Sequence, residues 1–183
     1  MTDPTPGTLL IADPFLKDPN FMRTVVLLTE HEAAGSIGFV LNRMSQNTID
    51  ELLPAAAGYP LPVYYGGPVQ MDTIHFLHGY PKDVLGGIEI IKGVWWGADF
   101  DRVLELIRMG ELDETKIRFY LGYSGWSSGQ LQTELEEKTW LTVTAEPELV
   151  FHDQVAEIWK DALRHLGGEY EMMVNFPIDP QLN

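Results

Sequence analysis

A chain of 183 residues, 45% hydrophobic and 21% charged, is long enough to bury a sizeable core as one globular domain spanning 1–183. Its net charge of −15, with only 12 Lys and Arg and no basic run, disfavours direct nucleic-acid binding and docking on anionic lipid. The absence of cysteine excludes disulfides and thiol chemistry, no apolar run reaches the roughly 20 residues of a membrane helix, and the N-terminus lacks signal-peptide character; a cytoplasmic protein is expected.

Taken in order, Gly7–Ala12 reads as a short buried strand and Thr24–Thr29, apolar and β-branched, as a central one. Ser36–Leu41 follows closely enough to form an antiparallel hairpin with it. Asn42 and Arg43 sit at its end, where polar groups are hydrogen-bonded to a loop. Asn47 is placed to cap a short helix ending at Leu53, before Pro54. Gly66-Gly67-Pro68 reads as a tight turn, and Thr73–Leu77 as a strand. His75 and His78 lie three apart on that strand, on opposite faces, which is wrong for a shared metal. Ile88–Trp96 adds one or two strands. Asp99 caps a helix with Phe100, Val103, Leu104 and Ile107 on one face and Gly110 as its stop. Trp140–Thr144 is a further strand, and apolar residues from Val155 to Leu166 repeat at helical spacing before Gly167. His152 and His165 read as solvated or boundary residues, and the tail from Phe176 as frayed.

The chain is organised around Tyr120–Leu131. Lys116–Tyr120 alternates like a half-buried strand, and Gly122–Gly125 reads as a glycine-rich turn into a helix. Ser127 followed by Gln130 has the spacing of a capping box, and Trp126 with Leu131 that of a hydrophobic staple. A structural turn ranks first, a ligand-binding turn second and a catalytic Ser124 last. The nucleophile-elbow pattern needs glycine where Trp126 stands, and the glycine spacing matches no nucleotide fingerprint. Glu134, Glu136 and Glu137 oppose a strongly charged anion at the helix start.

Four stretches together resemble the YqgE/AlgH family of bacterial proteins: Gly7–Pro14 with Phe21–Leu28, Gly35–Arg43, Gly66–Val69 and Gly122–Leu131. Ile158–Gly168 is similar as well, so the resemblance covers nearly the whole chain. It implies a cytosolic α+β domain with a partly split, barrel-like sheet and no particular reaction; one branch is named for a proposed transcriptional role in alginate regulation. Ser124 stands where relatives often carry alanine, and Met44 where proline is common.

The expected fold is α+β: a mixed, largely antiparallel, curled or bifurcated (pseudo-barrel) sheet with packed helices. Two classes of function follow. One is a non-catalytic regulatory protein binding a small ligand or protein partner through residues among Asn42, Arg43, Ser124, Trp126, Ser127 and Gln130. The other is an enzyme whose polar site is built from Asn42, Arg43, Ser124, Ser127 and Gln130. The enzyme needs a base, so a histidine such as His31 or His78 brought to Ser124 would discriminate. No cofactor and no metal site are expected.

Overall fold

The structure, a computed structural model, describes residues 2–178. Its first two strands are apolar at successive positions because both their faces are covered. In β1 (Thr8–Ala12) and β2 (Val25–Glu32), Leu9, Ile11, Val25 and Leu27 face one core, and Leu10, Ala12, Val26 and Leu28 another. β3 (Gly35–Val40) turns back on β2 as the expected hairpin, with Val26 opposite Val40 and a bulge between Leu28 and Glu30.

The chain continues through β4 (Met44–Thr48), α1 (Ile49–Leu52), β5 (Pro62–Tyr65), β6 (Val69–His78), α2 (Lys82–Leu85), β7 (Ile88–Ile91) and β8 (Val94–Trp96). After α3 (Phe100–Met109) come β9 (Ile117–Ser127), α4 (Gln130–Glu136), β10 (Trp140–Thr144), α5 (Pro147–Val150), α6 (Ile158–Leu166) and α7 (Tyr170–Met173). Strand order is β10-β1-β2-β3-β9-β6-β8-β7, with β5 also on β9 and β4 on β5. β5 runs parallel to β9, and the other pairs are antiparallel. This is the curled, bifurcated α+β sheet expected from the sequence. α6 packs on the core containing Leu9 and Phe39, with the Trp159 indole donating to the Ala12 carbonyl at 2.9 Å. Leu131 of α4 joins the core of Leu10 and Val26. Residues of α1, α2 and α3 cover Val63, Phe76 and Phe119. Among the described residues, no helix is long and apolar enough to cross a membrane.

β9 is where the sheet forks, and it corrects the reading of a glycine-rich turn. The strand continues unbroken through Gly122–Ser127, and α4 starts only at Gln130 behind Gly129 (φ 75°). Along Phe119–Leu121 one edge of β9 pairs with β5 and the other with β6. Along Ser124–Ser127, β3 takes the edge that β5 has left. Gly66 to Pro68 therefore carries the chain from one edge of β9 to the other. Built on Gly67, a Cβ would stand 2.2 Å from the Tyr123 carbonyl carbon; on Gly122 (φ 61°), 2.6 Å from the Gly67 oxygen. These glycines permit a backbone crossing at contact distance rather than a chain reversal.

Smaller corrections have equally local causes. Asn47 lies in β4, paired with β5, and the helix after it is one turn, with Thr48 at its N-cap and its amide donating to Glu51 at 3.0 Å. Phe100 is exposed although Val103, Leu104 and Ile107 are buried as expected. Val155 falls in a 3₁₀ turn before α6. His152 is a boundary residue, as the sequence allowed, and its Nε2 lies 2.8 Å from Asp161 Oδ2. Burial raises the Asp161 carboxyl, but hydrogen bonds from His152 and Arg164 and their charges hold it below the ordinary range. Of the tail, Phe176 packs on Phe15 with ring centroids 5.7 Å apart, and its carbonyl accepts from Arg23; 179–183 lie outside the described residues.

Candidate functional site

The six residues singled out in the sequence fall at three places along β3 and β9. Asn42 and Arg43 follow the C-terminal end of β3. Asn42 Oδ1 accepts from the Val25 amide at 2.9 Å and its Nδ2 donates to the Arg23 carbonyl at 2.8 Å; Arg43 Nη2 donates to the Met22 carbonyl at 2.7 Å. Both side chains thus hold the loop entering β2, as the loop-bonding expectation had it.

Ser124 stands at the fork. Its hydroxyl is fully buried and donates to the Gly66 carbonyl at 3.0 Å, the same oxygen that accepts from the Val40 amide at 2.9 Å. The two histidines that could have activated it are engaged elsewhere. His31 Nδ1 lies 2.7 Å from Ser36 Oγ, and His78 is buried with Nε2 donating to the Gly86 carbonyl at 3.0 Å.

Trp126, Ser127 and Gln130 form the third place. Ser127 does not cap α4, but its amide donates to Gln130 Oε1 at 3.1 Å, one half of the expected reciprocal pair. Trp126 and Leu131 share a core, as the staple spacing implies. Glu134, which sequence reasoning took only as a charge near the helix start, accepts from both Trp126 Nε1 (2.9 Å) and Trp140 Nε1 (2.8 Å). Trp126 pairs with Ser36 in register, six residues of extended chain from Asn42, or about 20 Å. The structure does not gather the six residues into one site.

A cleft of about 380 Å³ opens beside the β2–β3 hairpin instead, lined by Glu30, Glu32, Ile37, Val69, Tyr123 and Trp126, with the backbone of Gly35 and Gly125 among its walls. Glu30 and Glu32 alternate on β2 beyond the bulge, and both line the cleft. Behind Tyr123 sits His75, edge-on at 5.9 Å and 5.1 Å from the Phe39 ring, with Thr73 Oγ1 3.0 Å from its Nε2. Burial lowers the His75 pKa, which disfavours a positive charge on the ring. No Lys or Arg lines the cleft. A smaller cleft on the other side of Gly35 and Ser36 is lined by His31, Ser127, Leu131 and Gln132, and Glu32 borders it as well. Among the described residues, no group of three His, Asp or Glu side chains could hold a metal ion.

Of the cleft residues, sequence reasoning found Trp126 and missed Tyr123, Glu30, Glu32, Ile37 and Val69. The alternation of Glu30 and Glu32 after an apolar run was the available signal; the bulge that aims them was not.

Residues 9–171 match the family described as AlgH-like. A UPF0301 protein of Chlorobium limicola is 44% identical over 97% of this chain and 95% of its own. A UPF0301 protein of Cytophaga hutchinsonii is 38% identical over 98% and 99%. The solution structure of the AlgH protein from Pseudomonas aeruginosa superposes with a TM-score of 0.74 at 32% identity, covering 97% of this chain and 98% of that one. A crystal structure of protein DIP2367 from Corynebacterium diphtheriae, 22% identical, covers 96% of this chain and 94% of that one at a TM-score of 0.80 and shares the fold. The chain belongs to the AlgH-like family, the YqgE/AlgH family whose motifs its sequence carries.

Proposed function

We propose that this protein is a non-catalytic regulatory protein of the cytoplasm, acting as one domain, and that it works by binding a cationic group in the cleft beside the β2–β3 hairpin. The observation that carries this reading is the pairing of two carboxylates, Glu30 and Glu32, with the Tyr123 side chain in a cleft without a basic residue. Carboxylates together with an aromatic ring suit a guanidinium or organic ammonium, held by charge and by the π face. The volume falls within the roughly 300–1,000 Å³ of small-ligand sites, and the open rim also admits a Lys or Arg side chain of a protein partner. A transcriptional role, proposed for one branch of the family, would then run through such a partner, because the −15 charge opposes direct contact with DNA.

Thermal shift with argininamide and with spermidine tests this. A ligand at 100 times its Kd should add about 2.7 kcal/mol of stability, and Glu30→Gln with Glu32→Gln should abolish the shift. Saturable binding that survives the double substitution would place the ligand elsewhere, and no shift with either cation would remove the reading.

A further inference from the structure

At the other end of β3, a cavity of about 170 Å³ is lined by Met22, Arg23, Asn42, Arg43, Ala156 and Ile178. Two arginines line it and, among the described residues, no acidic side chain does. Among the described residues neither arginine is in a salt bridge; the recorded acceptors of both are backbone carbonyls.

Arg23 is held there against its backbone preference. Its φ of 53° is left-handed, a conformation uncommon for any residue with a Cβ and found where surrounding contacts enforce it. Those contacts are the ones already described: Asn42 donates to the Arg23 carbonyl and Arg43 to the Met22 carbonyl. The guanidinium lies 4.7 Å from the Trp159 ring centroid, Nη2 donates to the Phe176 carbonyl, and the buried Nε has no hydrogen-bond partner among the described residues. A stacked guanidinium is rigid, which suits planar, two-oxygen recognition.

We infer that Arg23 and Arg43, positioned by Asn42, form a second binding site that takes a small oxyanion, a phosphate or carboxylate group, opposite in charge to the cation proposed for the cleft. The site is independent of that cleft and stands if the cleft binds nothing. Burial pushes the Arg23 pKa down.

The test follows the Arg23 Nε–H resonance by NMR during separate titrations with inorganic phosphate and with succinate, which distinguish the two oxyanion sources. A saturable shift with either anion is expected. Arg23→Lys keeps the charge but removes the planar fork held over Trp159 and should weaken binding by about tenfold or more. Arg102→Gln, which removes a positive charge from α3, should leave it unchanged. An Nε–H resonance that ignores both anions would overturn the inference, as would equal binding by Arg23→Lys or an equal loss in Arg102→Gln. The wild-type titration decides the matter even where Arg23→Lys fails to fold.

Discussion

The crossing at Gly122–Ser124 and the tryptophan end at Trp126–Ser127 are neighbours on one strand, yet they are held in opposite ways. At the crossing, two backbones touch because side chains are missing: Gly67 lies against Tyr123, and Gly122 against Gly67. At the tryptophan end, large side chains meet on one carboxylate, Glu134, which accepts from two indoles while its other oxygen accepts from Gln130 Nε2 at 2.9 Å. The first region is specified by shape and the second by chemistry. A motif that reads as one glycine- and serine-rich unit is thus two devices, and they should respond differently to substitution.

The largest effect is expected at the crossing. Gly67→Ala sets a methyl 2.2 Å from the Tyr123 carbonyl carbon and 2.4 Å from the Ser124 nitrogen, and backbone atoms cannot rotate away. Overpacking and backbone strain together should cost upward of about 5 kcal/mol. The measurable outcome is loss of folded protein at ordinary temperature. A variant as stable as the parent would mean that the two strands do not touch there.

This contrast also marks what the sequence could and could not reveal. β1, β2, β3 and β10 were legible from runs buried on both faces, which need no distant partner to be recognised. α3 was legible from its ends: Asp99 Oδ1 accepts from the Arg102 amide at 3.2 Å, and Gly110 turns left-handed at φ 68°. The bonding of Asn42 was legible too, because a polar residue at a strand end has few places to turn. The crossing was not, since Gly122 takes its meaning from Gly66 and Gly67, remote in sequence. A local rule reads clustered glycines as a turn, and here they mark a contact. The cleft shares that difficulty: Tyr123 and Val69 line it only because β6 and β9 pair, with Val69 opposite Tyr123.

The next effect belongs to the tryptophan end. Trp126 is 5% exposed, and Trp126→Ala should cost about 3–5 kcal/mol, read as a lower denaturant midpoint at unchanged slope. Trp126→Phe sharpens the comparison, because it keeps a six-membered aromatic ring in the core while deleting the N–H donated to Glu134 and part of the indole. A cost of about 1–3 kcal/mol is expected from the lost charged hydrogen bond. If the phenylalanine variant matched wild type, this end too would be held by packing alone, and the distinction between the regions would fall.

The smallest effects are the most discriminating, because sequence and structure rank them in opposite orders. Capping-box spacing makes Ser127→Ala the costlier change and gives Ser124 no partner. In the structure, Ser124 is fully buried and its hydroxyl donates to Gly66 at the crossing, whereas Ser127 is exposed at the end of β9 with Gly129 in the N-cap position. Ser124→Ala should therefore cost about 1–2 kcal/mol, below the full penalty of a buried orphan because the Gly66 oxygen keeps the Val40 amide. Ser127→Ala removes a hydroxyl 3.3 Å from Gln130 Oε1 but leaves the Ser127 amide donating to that same oxygen. Its cost should stay within about 0.5 kcal/mol, as for an ordinary surface change. Paired denaturant melts of the two alanine variants settle the order. A larger loss for Ser127→Ala would return the helix start to Ser127 and make Gly122–Gly125 a turn after all, whereas a larger loss for Ser124→Ala ties the hydroxyl to the fork.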